Sequence, residues 1–323
     1  MGLNVGIIGC GLIGAKRAAC VAPHRVAAVA DLDPARAAAL AEKTGARVEA
    51  DGLSVCRASD VDVVIVATAH DRLAGFACAA LEAGKHVLVE KPGARRAGEL
   101  DAVAAAERAS GRVVRVGYNH RFHPALQKAR EIFESGALGP MMFIRGRYGH
   151  GGRIGYEKEW RANEKISGGG EAIDQGVHLI DLSRWFLGNF PHVQGYAPTY
   201  FWDMQVEDNA FMLLRTAGGQ AAFLHATWTE WKNMFSLEIS GRDGKLQADG
   251  LGGSYGPERL AYYRMLPQMG PPEIERWEYA GDDSWRLEFD HFLRAVRGES
   301  SHGATLADAQ AALRIAQTIR TFR

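Results

Sequence analysis

Residues 3–14 read Leu3-Asn4-Val5-Gly6-Ile7-Ile8-Gly9-Cys10-Gly11-Leu12-Ile13-Gly14, an apolar run followed at once by a glycine-rich turn. A helical stretch over residues 15–21 comes next, so the local order is strand, turn and helix. A lone G-x-G-x-x-G pattern is a weak signal, but between a strand and a helix it has a physical role in binding a dinucleotide. This stretch therefore predicts a Rossmann-type domain.

The same turn supplies the first predicted cofactor contacts. Gly9 allows the tight turn, Gly11 lets the backbone approach a pyrophosphate, and Gly14 lets the helix pack close to the strand. Leu12 and Ile13 lie at the helix N-terminus, where backbone N–H groups lack helical partners and can bind phosphate. We expect all five residues to contact the cofactor.

Asp31 follows the second predicted strand, residues 25–30. It lies about 20 residues after the glycine turn, where an acid is expected to bind the ribose. A carboxylate accepts hydrogen bonds from the ribose 2′-OH and repels the 2′-phosphate of NADP. The sequence therefore predicts NAD as the cofactor and disfavours NADP. We also expect Thr68 and Glu90, which follow or end later strands, to contact NAD.

Strands and helices continue to alternate up to residue 117. Apolar runs such as Val63–Val66 are typical of strands that are covered on both faces of a parallel sheet. A short strand and helix are expected within residues 47–59, where periodicity is weak. The pattern predicts a doubly wound α/β domain over residues 1–119. Its later elements are predicted as helices 34–44, 73–83 and 98–110 and strands 61–67, 86–89 and 113–117.

His86-Val87-Leu88-Val89-Glu90-Lys91-Pro92 is a short apolar strand that ends in an acid, a base and a proline. Ligands of open parallel sheets bind beyond the carboxyl ends of the strands, where Lys91 would emerge. Pro92 stops the strand because it cannot donate a ladder hydrogen bond. The alternative is a surface lysine that only caps the strand.

Two of these stretches, Gly9-x-Gly11-x-x-Gly14 and Ala83 to Pro92, resemble the glucose–fructose oxidoreductase / myo-inositol dehydrogenase (Gfo/Idh/MocA) family. The resemblance implies that Lys91 contacts both substrate and nicotinamide. The chain departs from the family at Thr68-Ala69-His70, where Thr-Pro is common.

Residues 118–124 form a polar run directly after a predicted strand, and they open a predicted second domain over residues 120–323. The run could be a simple linker. It is also similar to a family segment whose arginine reaches substrate, which favours Arg121, with Asn119 behind it, as substrate-binding residues.

A long irregular stretch over residues 148–167 contains Arg153, Trp160 and Arg161. Such stretches are usually binding loops. Guanidinium groups and an indole suit a hydroxyl-rich or phosphorylated ligand, and they suit a subunit interface equally well.

Three glycines, 168–170, precede a predicted helix over residues 171–185. Asp174, His178 and Asp181 are spaced to share one face of that helix. Ionisable residues on a mostly apolar helix must line a cavity or be paired. The pattern also resembles the second family signature, whose aspartate and histidine join the lysine around the reacting carbon.

From residue 193 the chain changes to alternating strands with tight turns at Gly218-Gly219 and Asp243-Gly244, followed by helices 285–296 and 306–322. The pattern predicts an α+β domain with a largely antiparallel open sheet. The family resemblance implies a homodimer or homotetramer that forms through this sheet.

Composition narrows the class of partner. Lys plus Arg and Asp plus Glu number 38 each, so no net charge favours nucleic acid or a membrane surface. The four cysteines lack metal-type spacing, and no leader or spanning run is visible, so we expect a cytoplasmic protein without a metal site.

Together these features predict an NAD-dependent oxidoreductase. It would transfer a hydride between nicotinamide and a secondary alcohol or ketone of a sugar, a phosphorylated or nucleotide-linked sugar derivative, or a cyclitol. Lys91 would steady the reacting oxygen, His178 or Lys91 would accept the proton, and Asp174 would orient the imidazole or bind a hydroxyl. The alternatives are an NAD-dependent glycoside hydrolase without net redox change and a non-enzymatic dinucleotide-sensing regulator.

Overall fold

The computed structural model describes residues 2–322, which fall into two compact units. The first contains the chain up to Asn119 together with Trp285–Ala311, and the second contains His120–Ser284 and the chain from Ala312 onward. The sequence predicted two domains, 1–119 and 120–323, and that division stays a prediction. In the structure, Trp285–Ala311 groups with the first compact unit.

The first unit is built on a six-stranded parallel sheet with strand order β3-β2-β1-β4-β5-β6. This confirms the predicted doubly wound α/β fold. The strands are β1 (Asn4–Ile8), β2 (Arg25–Ala30), β3 (Arg47–Val48), β4 (Val63–Val66), β5 (His86–Glu90) and β6 (Val114–Gly117).

Five helices connect these strands. The side chain of Asp33 accepts the Ala35 N–H at the start of the second helix, and Gly45, at φ 71°, ends it. The helices are α1 (Leu12–Ala19), α2 (Pro34–Thr44), α3 (Gly52–Arg57), α4 (His70–Glu82) and α5 (Glu99–Ser110). The short strand and helix expected within residues 47–59 are β3 and α3.

A helix from the last quarter of the sequence, α10 (Ser284–Val296), completes the core of the first unit. Its Phe289 and Phe292 pack in one buried cluster with Val5 and Ile7 of β1. Burial of these apolar side chains is the physical reason that this segment packs with the first unit rather than with the second.

Arg17 of α1 is buried between two carboxylates of the first unit. Its guanidinium donates to Glu90 from Nε at 2.7 Å and to Glu288 from Nη1 at 2.6 Å. Burial alone would lower the pKa of Arg17, but the ion pairs with Glu288 and Glu90 outweigh it and raise that pKa. The ring of Trp285 covers the guanidinium, 4.5 Å from its centroid. The arginine therefore joins α1, the end of β5 and α10.

The second unit contains an eight-stranded sheet with strand order β14-β13-β12-β11-β7-β10-β9-β8. As predicted, it is mostly antiparallel, but β7 and β10 pair in parallel, which the hairpin signals did not indicate. The strands are β7 (Met141–Gly149), β8 (His192–Tyr196), β9 (Asn209–Arg215), β10 (Ala221–Thr227), β11 (Met234–Gly241), β12 (Gly244–Asp249), β13 (Glu258–Arg264) and β14 (Glu273–Tyr279).

One face of this sheet is covered and the other is open. On β9, Met212 and Leu214 are buried, whereas Leu213 between them is 45% exposed. Phe223, the partner of Leu213 on β10, is 54% exposed.

The remaining helices of the chain are α6 (Pro124–Glu134), α7 (Glu164–Ser167), α8 (Glu171–Asp174), α9 (Gly176–Leu187) and α11 (Leu306–Ile319). Within residues 2–322, none of the helices combines the length and apolar character needed to cross a membrane.

Candidate active site

The glycine turn of the first unit is shaped by close backbone contacts. Gly9 adopts φ +94°, which favours glycine, and its N–H donates to the carbonyl of Ala30 at 2.9 Å. A Cβ on Gly14 would lie 1.9 Å from the carbonyl oxygen of Gly9, so only glycine lets α1 approach β1 this closely. A Cβ on Gly11 would meet only Arg36, at 3.9 Å, so the backbone there remains approachable for a ligand.

Asp31 lies directly beside this turn. Its Oδ2 accepts the Cys10 N–H at 2.6 Å, and its Oδ1 accepts the Asp33 N–H at 2.8 Å. The carboxylate is therefore held at the end of β2 by two backbone donors. Burial and the nearby Asp31 charge raise the pKa of the Cys10 thiol to about 12, so this cysteine stays neutral at physiological pH.

The strand ends of the first unit carry the other predicted cofactor residues. Lys91 directly follows β5 and is half-buried, and a hydrogen bond from the Gly93 N–H to the Glu90 carbonyl closes the turn around it. The Glu90 carboxylate is bound to Arg17, so its side chain has a structural partner, and its contact with cofactor stays a prediction. The Thr68 hydroxyl donates to the Ala69 carbonyl, and Leu12 is largely exposed.

In the second unit, the predicted continuous helix 171–185 is wrong. The chain forms α8 and then α9, separated by Gln175 at φ −106° and ψ −32°. Asp174 ends the first helix and His178 lies in the first turn of the second. Asp174 therefore precedes the break, whereas His178 and Asp181 both lie on α9.

Asp174 is paired with Arg161 of the preceding loop. Arg161 Nε donates to Asp174 Oδ2 at 3.2 Å, and its Nη1 lies 3.6 Å from Glu159. Burial alone would lower the pKa of Arg161, but the charge and hydrogen bond of Asp174, together with the charges of Tyr156 and Glu159, outweigh it and raise that pKa. Two predicted substrate-binding residues are thus in direct contact.

Arg121 and Asp181 form a second ion pair. Nε of Arg121 donates to Oδ2 at 2.7 Å and Nη2 donates to Oδ1 at 2.5 Å, and the two side chains are only 6% and 1% exposed. Trp185 lies 5.9 Å from the guanidinium. Arg121, which the sequence predicted as a substrate-binding residue, is therefore paired with Asp181 of α9.

His178 stacks on His120, whose side chain the sequence did not predict as part of the site. The ring centroids are 3.8 Å apart and the ring planes differ by 28°. Both residues are buried, with 4% and 5% of their surface exposed. The edges of Tyr148 and Phe235 face the His120 ring at 5.1 Å and 5.9 Å.

Two tyrosines extend this cluster. The Tyr148 and Tyr255 rings lie 5.3 Å apart, and Gln175 Nε2 donates to the Tyr255 hydroxyl at 3.1 Å. Burial raises the pKa of Tyr255 to about 12, and burial followed by the interaction with Tyr255 raises the pKa of Tyr148 further. Nearby carboxylates, those of Asp174 and Glu171, act in the same direction. Both hydroxyls therefore remain neutral donors at physiological pH.

The triple-glycine turn before α8 is held by Arg320 near the end of the chain. Its guanidinium donates to the Gly168 carbonyl at 2.7 Å, to Glu207 at 2.8 Å and to Glu164 at 2.7 Å. Burial raises the pKa of Glu207, and Arg320 opposes that shift. The Glu171 N–H donates to the Glu207 carbonyl at 2.9 Å, which fixes the start of α8.

The loop after β7 contains two 3₁₀ turns, Tyr156–Lys158 and Trp160–Ala162, followed by α7. Arg153 is exposed and pairs with Glu159 at 2.5 Å. Trp160 lies 4.6 Å from the Arg161 guanidinium. Tyr156 anchors the loop in a buried cluster with Trp228.

The predicted site residues are divided between the two units. The glycines, Asp31, Thr68 and Lys91 lie in the first, with Asn119 as its last residue before the break. Arg121, Arg153, Trp160, Arg161, Asp174 and His178 lie in the second. The sequence missed His120, although it falls in the polar run, and it missed Tyr148 and Tyr255, for which no local pattern gave a signal.

Comparison with known proteins gives consistent matches along the chain. Residues 3–118 match the family described as an oxidoreductase family with an NAD-binding Rossmann fold. Residues 126–247 match the GFO/IDH/MocA C-terminal domain.

Among curated proteins, the chain is 31% identical to inositol 2-dehydrogenase 2 of Saccharopolyspora erythraea, covering 98% of this chain and 92% of that protein. It is 28% identical to levoglucosan dehydrogenase of Pseudarthrobacter phenanthrenivorans, covering 76% and 73%. The solved structure of a levoglucosan dehydrogenase with NADH and levoglucosan superposes with a TM-score of 0.89 at 25% identity, over 99% of this chain and 96% of that one.

Proposed function

Since this chain belongs to the GFO/IDH/MocA family of NAD-dependent dehydrogenases, we propose that it transfers a hydride between NAD and a secondary hydroxyl or ketone of an uncharged sugar or cyclitol. The relatives named as inositol and levoglucosan dehydrogenases, both of which are named for uncharged polyols, support this class of substrate.

The observation that carries the choice of an uncharged substrate is the pairing of the arginines in the second unit. Arg121 is bound to Asp181, and Arg161 is bound to Asp174. Arg153 is bound to Glu159. A guanidinium that is already paired with a carboxylate attracts a phosphate group much less strongly than an unpaired guanidinium does. A phosphorylated or nucleotide-linked sugar is therefore disfavoured relative to a neutral polyol.

The first unit fits NAD. Gly11 leaves its backbone approachable, the N-terminus of α1 follows directly, and Asp31 presents a fixed carboxylate at the end of β2. Bound NAD would supply the hydride acceptor. The pyrophosphate would lie on the turn from Gly9 to Gly14, and the ribose hydroxyls would donate to Asp31.

The remaining chemistry is assigned to three side chains. Lys91, as an ammonium ion, hydrogen-bonds the substrate oxygen and stabilises the negative charge that develops on it. His178 accepts the hydroxyl proton, because an imidazole is the side chain that most readily exchanges a proton near neutral pH. Asp174, with Arg161 attached, accepts a hydrogen bond from a neighbouring substrate hydroxyl.

The test is NADH formation, followed by absorbance, with NAD and NADP in parallel. The panel contains myo-inositol, levoglucosan, free hexoses, a hexose phosphate and a nucleotide sugar, with Lys91→Met as the blank. We expect NAD reduction by one or more neutral polyols, and little by the phosphorylated ones. Activity confined to the charged sugars would overturn the substrate class. Cleavage of a glycoside without net NADH would instead identify an NAD-dependent hydrolase.

We further propose that the chain assembles into a homodimer or homotetramer through the open face of the second unit's sheet. Leu213 and Phe223 are paired across β9 and β10 on that face, and Tyr196 of β8 adds a third exposed apolar side chain. Large apolar patches on a sheet face are typical of subunit interfaces.

A further inference from the structure

His120 lies against the face of His178 in the interior of the second unit. The centroid separation of 3.8 Å and the interplanar angle of 28° describe a stacked pair. A packed core has no need of two adjacent imidazoles, because apolar rings would fill the same space without burying ring nitrogens. The pair therefore points to a role beyond packing.

The His120 ring is itself fixed from several sides. Tyr148 and Phe235 meet it edge-on, and His123 meets it at a centroid distance of 5.5 Å and an angle of 75°. His123 is in turn bound through Nδ1 to the buried carboxylate of Glu258 at 2.8 Å. His120 thus presents a rigid ring face to His178.

We propose that His120 is a positioning residue for proton transfer, because its ring face fixes the plane of the His178 imidazole. This inference rests on the assignment above of His178 as the proton acceptor. Stacking restricts rotation of the imidazole about its χ2 bond and therefore sets the direction of its ring nitrogens. Catalytic groups need their productive geometry within about 10–20°, and small misplacements cost up to about 100-fold in rate.

The kinetic test distinguishes a role of the planar His120 ring from a role of its ring nitrogens. His120→Phe keeps a planar ring, whereas His120→Leu and His120→Met keep similar volume without one. With whichever of myo-inositol or levoglucosan reduces NAD faster as the probe, we expect His120→Leu and His120→Met to lower kcat by about 10- to 100-fold. The KM for NAD should stay unchanged, and His120→Phe should stay within about threefold of wild type.

A matched control is available in the same unit. His225 also stacks on a ring, that of Phe211, at 4.2 Å and 10°. His225→Leu removes a stacked imidazole outside the proposed chemistry and should leave kcat unchanged. Equal kcat in His120→Leu, His120→Met and wild type would overturn the inference, as would a His120→Phe variant as slow as the other two.

A second readout needs no substrate. In full-length protein labelled with ¹³C at histidine Cε1, the His178 signal is the one that disappears in His178→Asn. The neighbouring ring should shift it upfield in wild type and in His120→Phe, and the shift should vanish in His120→Leu. An unchanged His178 signal in His120→Leu would refute the positioning role. Failure of the proposed function would appear separately, as no NAD reduction by any neutral polyol in wild type.

Discussion

The guanidinium of Arg121 and the carboxylate of Asp181 meet at two points in the interior of the second unit, with almost no solvent at either side chain. Neither charge can be hydrated there, so each depends on the other. The pair joins the segment that follows β6 to the middle of α9, one turn beyond His178. The Arg121–Asp181 ion pair therefore contributes to the stability of the second unit as well as to the geometry of the candidate site.

Replacing either Arg121 or Asp181 with an uncharged residue should destabilise the folded protein. We expect Asp181→Leu and Arg121→Met each to lower the free energy of unfolding by about 3–5 kcal/mol, because each removes the opposite charge that is paired with a buried group. The double variant should lose less than either single variant. Urea unfolding of the four proteins measures these differences, and losses that simply add in the double variant would contradict the expectation.

Lys91→Met should abolish most of the activity. Loss of a cationic hydrogen-bond donor to the reacting oxygen costs about 10²–10³ in kcat, and we expect a fall of that size in NADH formation. Lys43→Met, an exposed lysine on α2 of the same unit, is the matched control and should behave as wild type. Comparable activity of Lys91→Met and Lys43→Met would rule out the assigned role.

Asp31→Ser should weaken the preference for NAD. The variant loses the carboxylate that accepts from the ribose, and the ratio of kcat/KM for NAD to that for NADP should fall at least about tenfold, or about 1.4 kcal/mol. Parallel initial rates with both cofactors provide the measurement, with the exposed Glu42→Gln of α2 as control. An unchanged ratio would mean that selectivity resides elsewhere.

His86 should make the fold sensitive to acid. Burial, reinforced by the charge of Arg112, lowers the pKa of His86 below its ordinary 6.5, and its Nδ1 accepts the Val113 N–H, which requires that nitrogen to be unprotonated. Below about pH 6.5 the unfolded chain therefore binds more protons than the folded one, and stability falls as the pH falls. Urea unfolding at pH 7.5 and pH 5.5 should show a smaller acid loss in His86→Gln than in wild type. Parallel losses in both proteins would argue against His86 as the group responsible.

Phe223→Lys should disrupt self-association. The substitution puts a charge in the middle of the open face formed by β8, β9 and β10, where burial in an interface would leave it unpaired. Light scattering after size-exclusion chromatography should show a smaller species than wild type. Leu32→Lys, at a 96% exposed position of the first unit, should not change the assembly. An unaltered mass for Phe223→Lys would remove this face from consideration.

The fold of the first unit was predictable because its signals are local. Gly9, Gly14 and the strand ends at Asp31 and Lys91 are fixed by neighbours in sequence, and the structure has the corresponding strands and helices close to the predicted bounds. That α10 packs with the first unit was not predictable, because the apolar pattern of a helix indicates which of its faces is buried but not which part of the protein buries it.

The second unit was predicted less completely, because its arrangement depends on distant pairings. The parallel pairing of β7 with β10 has no local signal in the sequence. The edge strand β14 is mostly exposed, so its sequence shows no clear alternation of buried and exposed residues. The choice of Asp181 as partner of Arg121, 60 residues away, is set by tertiary packing. The break at Gln175 was also missed, because an apolar pattern continues through it.

The return of Trp285–Ala311 to the nucleotide-binding fold limits how relatives can be recombined. A chimera that exchanges only residues up to Asn119 would combine one parent's β1 with another parent's Phe289 and Phe292. It would also leave Arg17 facing a foreign residue in place of Glu288. Transfer of cofactor preference between relatives therefore requires two inserted segments from the same parent, and single-crossover libraries would be enriched in misfolded products.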